Sequence, residues 1–329
     1  MRQALARIPV AMTSRRPVLG IVQWFSFEDH ACVEQAVGAL TELRATELRV
    51  LFSWADWARE GGPEWFDWYV PRLASVPGMR LLPSLFYTPP QLARKDGEGG
   101  VKTSYPPEDL ASYARFVEEM IRRYGAHFDW IQLWNEPNWK PYWDWDMDRS
   151  GEMFADMAVP AANAARQRGK KVVLGGTTPL DYAWFARMEE LGVLEHMDAV
   201  SFHYSPSWDN QHRRWMPLAT ELYGLRALLK GFGRQCEIWI DETGFSTRTS
   251  RDKDEDRLER EQVAFFDEMR ALPAERVYWF CLFDQPEHIQ TDDAINTGAD
   301  SDPTAYHFGI IARTGRRKPL YEHWKRREG

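Results

Sequence analysis

A chain of 329 residues exceeds one small domain but is routine for a single (β/α)8 barrel, and 44% hydrophobic with 27% charged residues allows a large buried core. The formal net charge of -8 argues against nucleic acid as a partner, because phosphate binding needs a concentrated basic face and only the short Lys318–Arg327 tail is basic. No run of 18 apolar residues is present, which argues against a membrane span.

Met1 to Pro17 carries four arginines and no apolar h-region, so it reads as an N-terminal extension rather than a secretory signal. Arg15-Arg16 precedes an apolar stretch, as in a twin-arginine signal, but that stretch is short and reads better as a first strand. A cytoplasmic protein is the expectation. From residue 18 to 329, strand-length apolar runs alternate with helix-length amphipathic segments. The predicted strands are Val18–Phe25, Leu48–Phe52, Arg80–Phe86, Phe128–Trp134, Lys171–Gly176, Ala199–His203, Glu237–Asp241 and Arg276–Phe283. Their near-continuous apolar character suits parallel strands covered on both faces. The predicted helices are Ala31–Leu43, Pro63–Ala74, Pro107–Tyr124, Met153–Arg168, Tyr182–Leu194, Thr220–Lys230, Asp256–Ala271 and Leu320–Arg327. The clearest runs from Pro107, a first-turn proline, to the stop at Gly125, with Leu110, Tyr113, Phe116, Val117, Met120, Ile121 and Tyr124 at helical spacing. Eight strand–helix repeats predict an α/β fold, a (β/α)8 TIM barrel in one domain over 18–329. An open doubly wound sheet would want a Gly-rich loop after its first strand, and Ser26-Phe27-Glu28-Asp29 has no glycine.

Catalytic groups of such a barrel sit where the strands exit. The fourth strand exits as Trp134-Asn135-Glu136-Pro137-Asn138 and the seventh as Asp241-Glu242-Thr243-Gly244. Strands four and seven stand on opposite sides of a closed ring, so the two glutamates can face each other. Two facing carboxyls are the minimum apparatus for glycoside hydrolysis, one protonated and one ionised. Sixteen tryptophans point to a carbohydrate partner as well, since an indole face suits the C–H face of a sugar, although half or more of them would pack a core in any case.

Asn-Glu-Pro on strand four with Glu on strand seven resembles clan A of the glycoside hydrolases, over about Gly20 to Trp324, and the chain looks nearest to family 39 and its relatives. The accessory β-sandwich of some family 39 xylosidases is not expected within these 329 residues. The resemblance implies a retaining β-glycosidase with Glu136 as acid/base and Glu242 as nucleophile. It further implies Arg49 beside the nucleophile, Asn135 on the sugar 2-hydroxyl, and His203 and Tyr204 as the strand-six pair, with Tyr204 bonded to the nucleophile. Trp279 on strand eight matches the tryptophan under the sugar, and His307-Phe308-Gly309-Ile310-Ile311 through Lys318-Pro319-Leu320-Tyr321 matches the clan's closing segment. Plainer alternatives stay open: Arg49 in a structural ion pair, His203 as a satisfied core histidine.

Other residues receive structural readings. Trp130 and Trp239 are expected in the core, and alternation is expected to point Asp241 away from the cavity. The aromatic loop Trp139 to Trp145 is expected to present rings, Trp139 and Trp143 among them, to the leaving-group side of the substrate. The acidic loop Asp284–Tyr306 does not order its aspartates (Asp292, Asp293, Asp300, Asp302) as a calcium loop does. No metal-binding motif is found, so neither metal nor cofactor is expected. Cys236 and Cys281 are expected as buried thiols, and with Cys32 they suggest no disulfide framework. The alternatives are a transglycosylase on the same site and a carbohydrate-binding barrel that has lost catalysis. The sugar, its linkage, endo or exo cleavage and the oligomeric state are not legible.

Overall fold

The computed structural model describes residues 16–206, 217–249, 254–285 and 307–326. Eight parallel strands close in sequence order into a barrel: β1 (Val18–Gln23), β2 (Glu47–Ser53), β3 (Arg80–Phe86), β4 (Trp130–Leu133), β5 (Lys171–Thr177), β6 (Ala199–Tyr204), β7 (Glu237–Thr243) and β8 (Arg276–Phe280). All eight predicted strands are present, with ends shifted by a few residues. The outer layer is α1 (His30–Leu43), the short α2 (Trp54–Trp57), α3 (Gly62–Ala74), α4 (Ala111–Tyr124), α5 (Glu152–Gln167), α6 (Tyr182–Glu190), α7 (Leu218–Gly231), α8 (Glu255–Met269) and α9 (Pro319–Arg326).

Local signals explain the helix ends. Asp29 caps α1 by accepting the Cys32 N–H at 3.0 Å, and Asp254 caps α8 through the Arg257 N–H at 2.7 Å. The buried face of α4 is the predicted one, from Tyr113 to Tyr124, and Gly125 ends it. Its start differs from expectation. Pro107 forms an isolated bridge with Ala93 and the helix begins at Ala111, because the backbone before it is spent on a loop that folds back on 89–94. No helix among the described residues is long and apolar enough to cross a membrane.

Side-chain alternation divides the apolar residues into two compartments. Ile21, Leu48, Val50, Ile131, Leu133, Val172, Leu174, Val200, Ile238, Ile240, Val277 and Trp279 face outward and pack with the helices. Val22, Leu82, Val173, Ala199, Trp239, Tyr278 and Phe280 fill the barrel. At the bottom of the barrel, Trp130 and Trp239 lie 4.6 Å apart with the Arg276 guanidinium over both; Trp239 is core as expected, whereas Trp130 is only half-buried against it. Towards the mouth the filling turns polar, with Arg49, Ser84, Gln132, Ser201 and Asp241 all fully buried.

The closing segment is fastened to the exit of β8. Phe308 and Ile310 are buried, and the buried Lys318 ammonium donates to Asp284 at 2.7 Å and Thr247 at 2.9 Å. Cys281 is buried as expected; Cys236 is only half-buried, and both it and Cys32 are free. Most of the Asp284–Tyr306 loop with its four aspartates lies outside the described residues, as does most of the N-terminal extension.

Candidate active site

The site forms where β2, β4, β6 and β7 end. Trp134 and Glu136 both adopt positive φ, 67° and 43°. A left-handed backbone at a non-glycine residue costs of order 1–3 kcal/mol and collects at functional positions. Here it turns the Glu136 side chain back over the barrel mouth. Glu242 comes from the opposite side, at the end of β7. A carboxylate oxygen of Glu136 lies within 4.8 Å of one of Glu242, and His203 Nδ1 lies within that distance of both. Both glutamates are buried.

Their surroundings differ. Glu242 accepts a short hydrogen bond from the Arg49 guanidinium. The same guanidinium donates to Asn135 Oδ1 at 2.6 Å and to Gln132 Oε1 at 2.6 Å, and its face lies 4.9 Å from the Trp24 ring. Arg49 thus spends its fork on fixing Glu242 and Asn135 together. Glu136 instead receives His203 Nδ1 at 2.6 Å. Burial pushes the Glu136 carboxyl up; His203 pulls it down and the Glu242 charge pushes it up again, and the net shift is upward. Burial alone would lower His203, but Glu242, Asp241 and Glu136 together raise it to about 10. That shift favours the charged imidazole over a neutral core histidine.

Asp241 corrects an expectation. Alternation places Trp239 and Asp241 inside the barrel, and the pairing register with β8 shifts between Ile240 and Thr243, so that Asp241 and the adjacent Glu242 both reach Arg49. Asp241 Oδ2 lies 3.3 Å from Arg49 Nε and 3.6 Å from His203 Nε2, and it accepts a short hydrogen bond from Gln132. Gly176 of β5 makes room for this: a Cβ there would meet both Asp241 and His203 at 2.5 Å.

Three further expectations are corrected. Trp279 does not underlie the site. Its ring contacts Phe265 and Phe266 of α8 at 6.1 and 5.7 Å, and Phe280 holds the inward position beside Phe308. Tyr204 is not joined to Glu242. On β6 the inward residues are Ser201 and His203, and Tyr204 turns to Phe265 in the helix layer at 6.0 Å; Arg49 and His203 stand beside Glu242 instead. Trp143 is fully buried, wedged edge-on between Trp134 and Phe154 at 5.2 Å each, with its indole N–H on Asp148. Asp148 also accepts the Met153 and Phe154 N–H groups of α5, so this half of the loop is a cap rather than a platform. Trp143→Ala should therefore cost about 3–5 kcal/mol of stability, the range for a buried tryptophan. Thermal unfolding checks this; an unchanged Tm would contradict the packing role.

Trp139 is 40% exposed, with its ring 5.7 Å from Tyr142, and it does stand at the rim. Tyr142 stacks in turn on Tyr87, 5.9 Å away at 17°. Burial pushes both phenols up, and the charges of Glu136 and Glu242 add to it. Tyr142 belongs to the aromatic loop expected at the rim, whereas Trp24 and Tyr87 were not singled out from the sequence. Trp24 and Tyr87 stand at the exits of β1 and β3, the positions where such groups belong, but they carry no charge and form no motif. On the far side of Asn138, Trp145, Trp184, Arg149 and Arg187 help line a cavity of about 280 Å³. Asn138 ties the two exits by bonding Thr178 through both its amide atoms.

Glu136, His203 and Glu242 are also a donor set that a divalent cation could use. In the structure the Arg49 guanidinium bonds Glu242 and the His203 ring bonds Glu136.

No protein-family model and no curated protein matches the sequence. The fold does have close counterparts among solved structures. A family 39 glycoside hydrolase from Bacteroides cellulosilyticus WH2 superposes with TM-score 0.62 at 15% identity, over 94% of this chain and 63% of that one. A family 39 β-xylosidase from Caulobacter crescentus gives 0.65 at 16%, over 95% and 71%. The catalytic domain of family 30 xylanase C from Talaromyces cellulolyticus gives 0.56 at 12%, over 95% and 76%. The chain spans less than two thirds of the first of these, and at such identities the likeness establishes the fold.

Proposed function

We propose that the chain is a retaining β-glycoside hydrolase acting on a β-linked oligo- or polysaccharide, with Glu136 as acid/base and Glu242 as nucleophile. One observation carries this reading. Two buried glutamates from β4 and β7 come within 4.8 Å, and each has a different electrostatic surround. Carboxyls about 5 Å apart leave no room for a water between one of them and the sugar, so the second must attack carbon itself. Glu242, held by Arg49, suits the ionised nucleophile. Glu136, raised by burial, suits the proton donor. That the solved counterparts include a β-xylosidase and a xylanase supports the same class.

In this reading Glu242 attacks the anomeric carbon while Glu136 gives its proton to the departing oxygen. Asn135, its Oδ1 fixed by Arg49, can turn its amide N–H to the sugar 2-hydroxyl. Trp139 stands on the leaving-group side, two residues beyond Pro137. Water then attacks the glycosyl ester with Glu136 as base. A sugar acceptor in place of water would make the same site a transglycosylase, which product analysis with added acceptor distinguishes.

A panel of nitrophenyl β-glycosides and soluble β-linked polysaccharides tests the reading. Turnover of at least one β-linked substrate is expected, with the β-anomer as the first product by proton NMR. First release of the α-anomer would mean inversion, and binding without turnover across the panel would favour the inactive carbohydrate-binding barrel.

A further inference from the structure

The reacting pair rests on a third carboxylate, Asp241, that touches no substrate position. Asp241 is fully buried. The charged groups around it come from four strands: Arg49 of β2, Glu136 at the exit of β4, His203 of β6, and its own neighbour Glu242 on β7. Strand β5 faces it with Gly176, which brings no charge. Arg49 and His203 each bridge Asp241 to one or both of the glutamates: Arg49 joins Asp241 to Glu242, and His203 faces Asp241 through Nε2 and Glu136 and Glu242 through Nδ1.

We propose that Asp241 is a positioning residue, the constant counter-anion that keeps Arg49 and His203 both charged while negative charge passes between Glu242 and Glu136. The charge count follows from the reaction, and so rests on the glycosidase reading. Before reaction, Glu242 and Asp241 are anions, Arg49 and His203 are cations, and Glu136 holds its proton, so the cluster is neutral. Attack forms a bond from the Glu242 oxygen to the anomeric carbon and breaks the bond to the leaving oxygen. The leaving oxygen keeps that electron pair and takes the Glu136 proton. Glu242 is now an uncharged ester and Glu136 an anion, and the cluster is neutral again. In the second half water gives its oxygen to carbon and a proton to Glu136, and the ester's electron pair returns to Glu242. At each stage the pair carries one negative charge against two fixed cations, and Asp241 supplies the other. Burying an uncompensated charge is costly, and His203 is the cation that can shed its proton to avoid it. Without Asp241 the cluster carries an excess positive charge, which weakens the hold of His203 on its proton.

The test reads His203 directly. Histidine is labelled at 13Cε1, the His203 signal is assigned by its loss in His203→Gln, and its pH titration is followed. In the natural protein the signal should remain that of an imidazolium through pH 8. In Asp241→Asn the midpoint should fall by about two units or more, toward the ordinary imidazole value near 6.5. A folded Asp241→Asn in which His203 stays charged to pH 8 would overturn the proposal. Asp241→Asn/Arg49→Gln removes one charge of each sign and restores neutrality. There His203 should regain its natural titration, whereas a merely structural Asp241 would leave the double variant as perturbed as the single one. The double variant also answers the question should the single one fail to fold. On an active substrate, the kcat/KM profile of Asp241→Asn should gain an ionisation at the measured His203 midpoint. A shifted midpoint with no catalysis in any variant, the natural protein included, would count against the glycosidase reading while leaving Asp241 as the counter-anion that holds the His203 charge.

Discussion

Glu242→Ala is expected to remove turnover of β-glycosides, lowering kcat by about 10⁴-fold or more, the scale of losses when the nucleophile of a covalent-intermediate enzyme is deleted. Azide should restore part of the rate. With the carboxylate gone, the α-face of the anomeric carbon opens to an outside anion, so the product should be the α-glycosyl azide. The Arg49 guanidinium, which bonds Glu242 in the natural protein, would help to hold the azide there. Rescue giving the β-azide would reverse the two assignments.

The second large effect belongs to Glu136. Glu136→Ala should lower kcat/KM by about 10²–10⁴-fold on substrates with poor leaving groups, the usual worth of general acid catalysis, and by far less on dinitrophenyl glycosides that leave unaided. The glycosyl-enzyme then lacks its base, so azide should accelerate turnover and give the β-azide. The pH profile offers a separate check. The raised Glu136 carboxyl must be protonated to act, so kcat/KM falls as pH rises through its ionisation. That basic limb should be absent from Glu136→Ala on the activated substrate. A limb that persists would have to belong to another group.

The barrel could be read from the sequence because parallel strands covered on both faces leave long apolar runs, and eight of them alternating with amphipathic segments admit few other closures. The two glutamates were legible for a related reason, since charge at a strand exit is conspicuous against such runs. What the runs conceal is which face points inward. Arg276-Val277-Tyr278-Trp279-Phe280 shows no polar alternation, so nothing in it says that Tyr278 and Phe280 enter the barrel while Trp279 turns to α8. Asp241 was misplaced because a register irregularity lets two successive residues face one cation, and such irregularities have no sequence signature of their own. Tyr204, by contrast, follows regular alternation: with His203 inward, its neighbour must turn to the helix layer. In the loop after β4 there is no period at all. Which of Trp139, Trp143 and Trp145 packs and which reaches the rim is decided by partners beyond the loop, such as Asp148 and Phe154.

The claim that Glu242 forms the covalent intermediate is tested most directly by trapping it. The protein is incubated with dinitrophenyl 2-deoxy-2-fluoro-β-glycosides of several sugars, whose fluorine slows breakdown of the ester more than its formation once a good leaving group is supplied. It is then digested and mapped by mass spectrometry. One glycosyl unit is expected on the peptide carrying Glu242, lost on Glu242→Gln and discharged in the natural protein by an added acceptor. A glycosyl unit on Glu136, or steady hydrolysis of the parent glycoside with inverted product and no trapped ester, would contradict the account.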